Sequence, residues 1–270
     1  MIRGMPPLLD WRGDSNKRII GMLHLLALPG SPRYAGDLAR LREDLFRDAD
    51  ALAVGGVHAL MMENFGDVPF HTGRVPTHVI AQMTALAAAV RSRFDLPLGI
   101  NVLRNDGCGA LAVAHAAGAD FIRVNVLCGA RVTDQGIIQG IAHELLRDRA
   151  LLRAEHIRIF ADVDVKHSAA LARRPIEDEV DDTLARGLAD ALIVSGAGTG
   201  KQTDPGKVQQ VKWAARNTPV FIGSGVTEQT IASLLPHADG FIVGTALKRD
   251  GVATNPVDVA RVKALIARLQ

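Results

Sequence analysis

Phe160-Ala161-Asp162-Val163-Asp164-Val165-Lys166-His167-Ser168 follows Ile157-Arg158-Ile159, and the whole run reads with a period of two. Ile157, Ile159, Ala161, Val163 and Val165 share one face. Arg158, Phe160, Asp162, Asp164 and Lys166 share the other. A strand alternates its side chains, so the three charges Asp162, Asp164 and Lys166 would stand about 7 Å apart along one side. A solvated edge strand would account for such a face. The opposite face is wholly apolar, however, and more apolar runs lie on both sides in sequence. The stretch therefore reads as a central strand with its charges turned to a shared interior, where charge is costly unless paired or used.

Working outward, the same unit recurs. Strand-like runs fall at Arg18–His24, Val57–Met62, Pro97–Val102, Asp120–Val126, Asp190–Val194, Pro219–Ile222 and Asp239–Val243. Helical periods lie between them. Leu38, Leu41, Leu45, Ala49 and Leu52 share a face that Gly55-Gly56 closes. Further helices are expected over Thr77–Arg93, Ala110–Ala117, Ile138–Ala154, Pro175–Gly187, from Asp204-Pro205, over Thr227–Leu235 and over Pro256–Leu269. Cys128 to Gly136 reads as a long loop. Eight strand–helix units in this length match a closed (β/α)8 TIM barrel better than an open doubly wound sheet. Residues 1–17 read as an irregular lead-in, and 18–270 as one barrel domain.

Composition limits the partners. The chain has 270 residues, 48% hydrophobic and 22% charged, with a formal net charge of +2. No basic run with interleaved aromatics marks a nucleic-acid binder, and no apolar run reaches membrane-spanning length. Two cysteines, Cys108 and Cys128, suggest neither a disulfide framework nor a metal-ligand spacing. A cytoplasmic homo-oligomer is the expectation, with no cofactor required and a divalent metal left open.

In a barrel the chemistry collects where strands run out into helices. The polar residues there are His24, Glu63, Asn101, Arg123, Asn125, Asp162, Asp164, Lys166 and Ser195. Gly223-Ser224-Gly225 before Thr227, and Gly244-Thr245 after the last strand, suit a phosphate. Glycines let backbone N–H groups approach an anion, and a helix start adds its dipole. Close strand–helix packing would favour the same glycines. Lys248 or Arg249 could add charge there, though both read more readily as solvated. The loop from Gly196 through Gly198 and Lys201 to Thr203 lacks the spacing of a nucleotide-triphosphate loop, and Gln202 stands where a hydroxyl is needed. It reads as a wall of the site.

Asp162, Asp164 and Lys166 leave three chemical uses open beside a structural ion pair. The acids could move protons while Lys166 holds an oxyanion. They could bind a hard cation together with Glu63 or His24. Lys166 could instead form a Schiff base with a carbonyl.

Several segments together resemble the BtpA family: Gly21-Met22-Leu23-His24-Leu25, Leu28-Pro29-Gly30-Ser31-Pro32, and Met62-Glu63-Asn64-Phe65-Gly66-Asp67-Val68-Pro69-Phe70. Asn105-Asp106-Gly107, Arg123-Val124-Asn125, Ala161 to His167 and Ser195 to Gly200 add to the likeness. It runs from about Arg18 onward. The resemblance implies a ribulose-phosphate-binding type of barrel, in agreement with the Gly223 and Gly244 loops. It also implies a second role, since the family takes its name from a cyanobacterial protein implicated in photosystem I accumulation. The leading expectation is an isomerase, epimerase or lyase acting on a small phosphorylated compound. The catalytic candidates are Glu63, Asp162, Asp164, Lys166 and His24, and the substrate-binding candidates are Asn101, Arg123, Asn125, Ser195 and Gly198. The alternative is a non-catalytic assembly factor.

Overall fold

The fold is taken from a computed structural model that describes residues 17–172, 174–196, 198 and 203–269. The expected lead-in therefore lies outside the described residues except for Lys17, as do Lys201 and most of the glycine-rich loop around it.

Eight strands form a closed parallel barrel. In chain order they are β1 (Arg18–His24), β2 (Ala59–Glu63), β3 (Leu98–Asn101), β4 (Phe121–Val124), β7 (Arg158–Val163), β9 (Ala191–Val194), β10 (Val220–Ile222) and β11 (Gly240–Val243), and β1 pairs with β11 to close it. Three short strands, β5 (Ala130–Thr133), β6 (Gly136–Gln139) and β8 (Ser168–Ala170), make a separate antiparallel sheet. The helices are α1 (Leu38–Gly55), α2 (Thr77–Arg93), α3 (Gly107–Ala117), α4 (Ala142–Leu151), α5 (Ile176–Asp181), α6 (Pro205–Ala214), α7 (Ile231–Leu234) and α8 (Val259–Ala267). Among the described residues no helix is long and apolar enough to cross a membrane.

Local chemistry sets these boundaries. Asp37, Asp106, Asp204 and Asp258 each cap a helix by accepting from a backbone N–H of its first turn. Gly56 ends α1 in the left-handed region, at φ 91°. Gly55 lets α1 lie against α8, because a Cβ there would come within 2.3 Å of Val262. The outward faces of the strands pack on the helices as one large apolar core. Inside the barrel, Ile20, Met22, Ala59, Met61, Phe121, Phe160, Ala191, Ile193, Phe221 and Ile242 form a second one. Phe160 stacks on Phe121 at 4.7 Å between ring centroids. That plug fills the lower barrel, so only its upper end is left for chemistry.

Four expectations need correction. The stretch after Cys128 is a hairpin, with Asp134 and Gln135 at its turn. Thr133 Oγ1 accepts from Gln135 N and donates to the Gly136 carbonyl, and Gly136 takes φ 101°. Helix α4 consequently starts at Ala142 instead of Ile138. The Thr227–Leu235 helix shrinks to Ile231–Leu234, and Thr227 and Thr230 cap one another in a turn. Lastly, β7 stops at Val163 because Asp164 turns to φ 55°, and His167 also takes a positive φ. The expected row of three charges is broken there, and the chain re-enters the small sheet as β8.

Candidate active site

Period-two alternation carries each barrel strand from the apolar plug into a polar tier. Two residues beyond Met22, Met61, Phe121, Phe160 and Ile193 stand His24, Glu63, Arg123, Asp162 and Ser195. Asn101 follows Gly99 in the same way. His24, Glu63, Asn101 and Arg123 are successive register partners around the barrel. On β10 and β11 the equivalent positions are Gly223 and Gly244. Those glycines are required sterically. A Cβ on Gly223 would meet Ser195 Oγ at 2.7 Å, and one on Gly244 would meet the His24 ring at 2.7 Å.

Where the two glycines leave room, a cavity of about 530 Å³ opens. His24, Glu63, Arg123 and Lys166 line one side, and Gly223, Ser224, Gly225, Gly244 and Thr245 line another. Glu63 and Lys166 thus share one mouth with the glycine loops, whereas Asp162 and Asp164 line a smaller cleft. With the helix at Thr227 gone, the loops offer glycine backbone and hydroxyls without a helix dipole. Ser224 Oγ is partly engaged, since it accepts from Gly196 N at 2.8 Å, and Thr203 donates to the Ser224 carbonyl at 2.9 Å.

Behind the cavity wall lies a closed network. Arg123 grips Asp162 with two hydrogen bonds of 2.8 Å, and both side chains are almost fully buried. Burial alone would pull the guanidinium pKa down, but Asp162 overcomes this and holds it above its ordinary value. Asn125 also donates to Asp162 at 3.0 Å, and Ser195 does so at 3.4 Å. Asn101 donates to the Arg123 carbonyl at 3.1 Å. Asp162 is therefore saturated with donors and is placed to orient Arg123.

Glu63 and Lys166 differ from it. Among the described residues, the Glu63 carboxylate makes no hydrogen bond, and its one ion-pair contact is His24 Nε2 at 4.0 Å. Burial lowers the Lys166 pKa first of all, and the Arg123 charge adds to this. His24 is held neutral, its pKa lowered to about 3, mainly by burial and then by Lys248 and Lys166. Its ring stacks on Phe65 at 4.3 Å.

Asp164 lies elsewhere. It pairs with Arg131 at 2.6 Å and with Lys207, in a smaller cleft against the hairpin sheet. Burial works against its charge, but Lys207 and Arg131 outweigh it and keep the carboxyl below the ordinary range. Gly198 is buried but does not line the cavity. One cation is placed otherwise than the sequence suggests, and a second carried no clear signal in it. Lys248 is buried and paired with Asp48 instead of solvated. Arg104, also buried, donates to the Lys166 carbonyl and so ties down the turn that carries the amine. Its place directly before Asn105-Asp106-Gly107 was the available signal.

A Gly244→Ala change should drive the His24 ring from its seat. The expected cost is about 1–3 kcal/mol of unfolding free energy in a urea titration, as for other overpacked interiors. An unchanged midpoint would show that the ring moves aside freely.

A closed parallel eight-stranded barrel with its helices between the strands is the TIM-barrel fold. Phosphoribosylanthranilate isomerase of Pyrococcus furiosus superposes with a TM-score of 0.56 at 11% identity, over 94% of this chain and 98% of that one. Tryptophan synthase of M. tuberculosis gives 0.58 at 17%, over 98% and 96%. At these identities the likeness shows the fold alone. Sequence relationship is much closer elsewhere. The BtpA family profile matches residues 15–270, and the chain belongs to the BtpA family. An uncharacterized protein of Thermococcus kodakarensis is 48% identical over 93% of this chain and 94% of its own length. The photosystem I biogenesis protein BtpA of Synechocystis is 46% identical over 94% and 88%.

Proposed function

We propose that the chain is an enzyme that binds a small phosphorylated metabolite and moves protons on it, in an isomerase, epimerase or lyase step. One observation carries this reading. Glu63 and Lys166, neither with a side-chain hydrogen bond among the described residues, face the same cavity as the Gly223 and Gly244 loops. The phosphate would sit on Gly223 to Gly225 and Gly244-Thr245. Arg123, fixed by Asp162, would face the reacting end with Glu63 as acid or base. Asp164 drops out of the catalytic set, because its partners hold it in the other cleft.

The test is thermal unfolding against a panel of sugar phosphates and nucleoside monophosphates. A ligand at about a hundred times its Kd adds about 2.7 kcal/mol, which raises the midpoint of a chain this size by roughly 5–10 °C. A flat response across the panel and to inorganic phosphate removes the anchor.

The kinship with BtpA of Synechocystis favours a second reading, an assembly factor that presents a surface. The exposed face of the hairpin sheet, with Val132 and its register partner Ile137, is the surface available for it. On that reading Val132→Glu abolishes cellular function while Glu63→Gln leaves it intact. The enzyme reading expects the reverse.

A further inference from the structure

Among the described residues at the upper end of the barrel, most cations have a carboxylate partner. Arg123 has Asp162, Lys248 has Asp48, and Arg131 has Asp164 and Glu179. Arg104 spends hydrogen-bonding capacity on the Lys166 carbonyl. Lys166 itself, half-buried and lining the cavity, has no ion-pair or hydrogen-bond partner for its amine among the described residues. Burial and the Arg123 charge pull its pKa down, while Glu63 and Asp162 oppose this. A lysine kept to hold phosphate as a cation would gain from a setting that favours its charge. This setting brings the neutral amine, which is a nucleophile, within easier reach than on an exposed lysine.

We infer that Lys166 attacks a carbonyl carbon, and that the substrate is accordingly a phosphorylated aldehyde or ketone held as an imine. The inference deepens the proposed function and takes its phosphate anchor from it. The amine lone pair forms the C–N bond, and the carbonyl π pair moves onto oxygen. That oxygen gains both protons of the amine nitrogen, one directly and one carried across by the Glu63 carboxylate, and departs as water while C=N forms. One C=O and one amine become one C=N and one water. When protonated, the imine draws electrons from the neighbouring carbon, whose proton the Glu63 carboxylate can accept. Hydrolysis reverses the first steps and frees the lysine. Arg104 acts as a positioning residue, because it holds the backbone from which Lys166 projects.

The experiment treats the full chain with dihydroxyacetone phosphate, or with unphosphorylated glyceraldehyde, in the presence of cyanoborohydride, and maps the adduct by peptide mass. One reduced adduct per chain is expected, on Lys166, formed roughly tenfold faster than on any other lysine. Inorganic phosphate should slow it with the phosphorylated probe. Lys166→Arg, checked for an unchanged thermal midpoint, should lose it. Glu63→Gln should slow adduct formation on Lys166 without changing stabilisation by inorganic phosphate. Adducts scattered over surface lysines with Lys166 untouched would overturn the inference, even where phosphate still stabilises the fold. A Lys166 adduct with glyceraldehyde, but no stabilisation by phosphate, would instead keep the nucleophile and remove the anchor.

Discussion

An Arg123→Met chain is expected to lose about 3–5 kcal/mol of unfolding free energy, the usual cost of breaking a buried ion pair from one side. The cause is the partner left behind. Asp162 keeps Asn125 and Ser195 as donors but loses both guanidinium hydrogen bonds, in a place with almost no solvent. Asp162→Asn should cost a comparable amount, because it strands the Arg123 charge. Replacing both residues together with apolar side chains should cost far less than the sum, since no uncompensated charge remains. Urea titrations of the two single variants and the double variant make the cycle. Strict additivity, or a single-variant cost under about 1 kcal/mol, would mean that the pair is solvated or loosely held. Arg123 also lines the cavity, so on the proposed function even a variant that folds should bind phosphate poorly.

The cycle also separates residues that the sequence alone could not rank. Asp162 and Asp164 look alike there, two acids two positions apart in an alternating run. Alternation identifies the faces of a strand but not its end, and the end is set by the positive φ of Asp164. One residue past Val163 the same pattern places a carboxylate in a different cleft. The eight barrel strands were legible because each is a short apolar run bounded by helical periods. Their polar last residues marked the mouth for the same reason. The hairpin was not legible: its strands are four residues each, mixed in polarity, and joined by Asp134-Gln135 before the unusual φ of Gly136. Lys248 was misread because its partner, Asp48, is 200 residues away on α1. Arg104 likewise bonds across the barrel, to the Lys166 carbonyl 62 residues on. Charges whose partners come from distant elements leave no trace in spacing.

Acidification should destabilise the protein through His24 more than through an ordinary surface histidine. The folded ring has its pKa lowered to about 3, against an ordinary value of 6.5. Between those two values the unfolded chain takes up a proton that the folded chain refuses, so stability rises with pH and is lost as pH falls below about 6.5. The slope approaches about 1.4 kcal/mol per pH unit, which makes about 3 kcal/mol between pH 7 and pH 4.5. Burial is the main cause, and Lys248, Lys166 and Arg123 add repulsion that a hydrogen bond with the Ala253 backbone does not reverse. His58 also has its pKa lowered, being half-buried and near Arg18, so the wild-type curve holds more than one contribution. The comparison that isolates His24 is His24→Asn, which should lose stability less steeply over this window while His58 keeps its share. Matching slopes for the two chains in denaturant titrations would mean that the ring protonates in place. An anion bound at Gly244 would counter the repulsion and raise the His24 pKa, so saturating phosphate should flatten the wild-type slope and leave that of the Asn variant nearly unchanged.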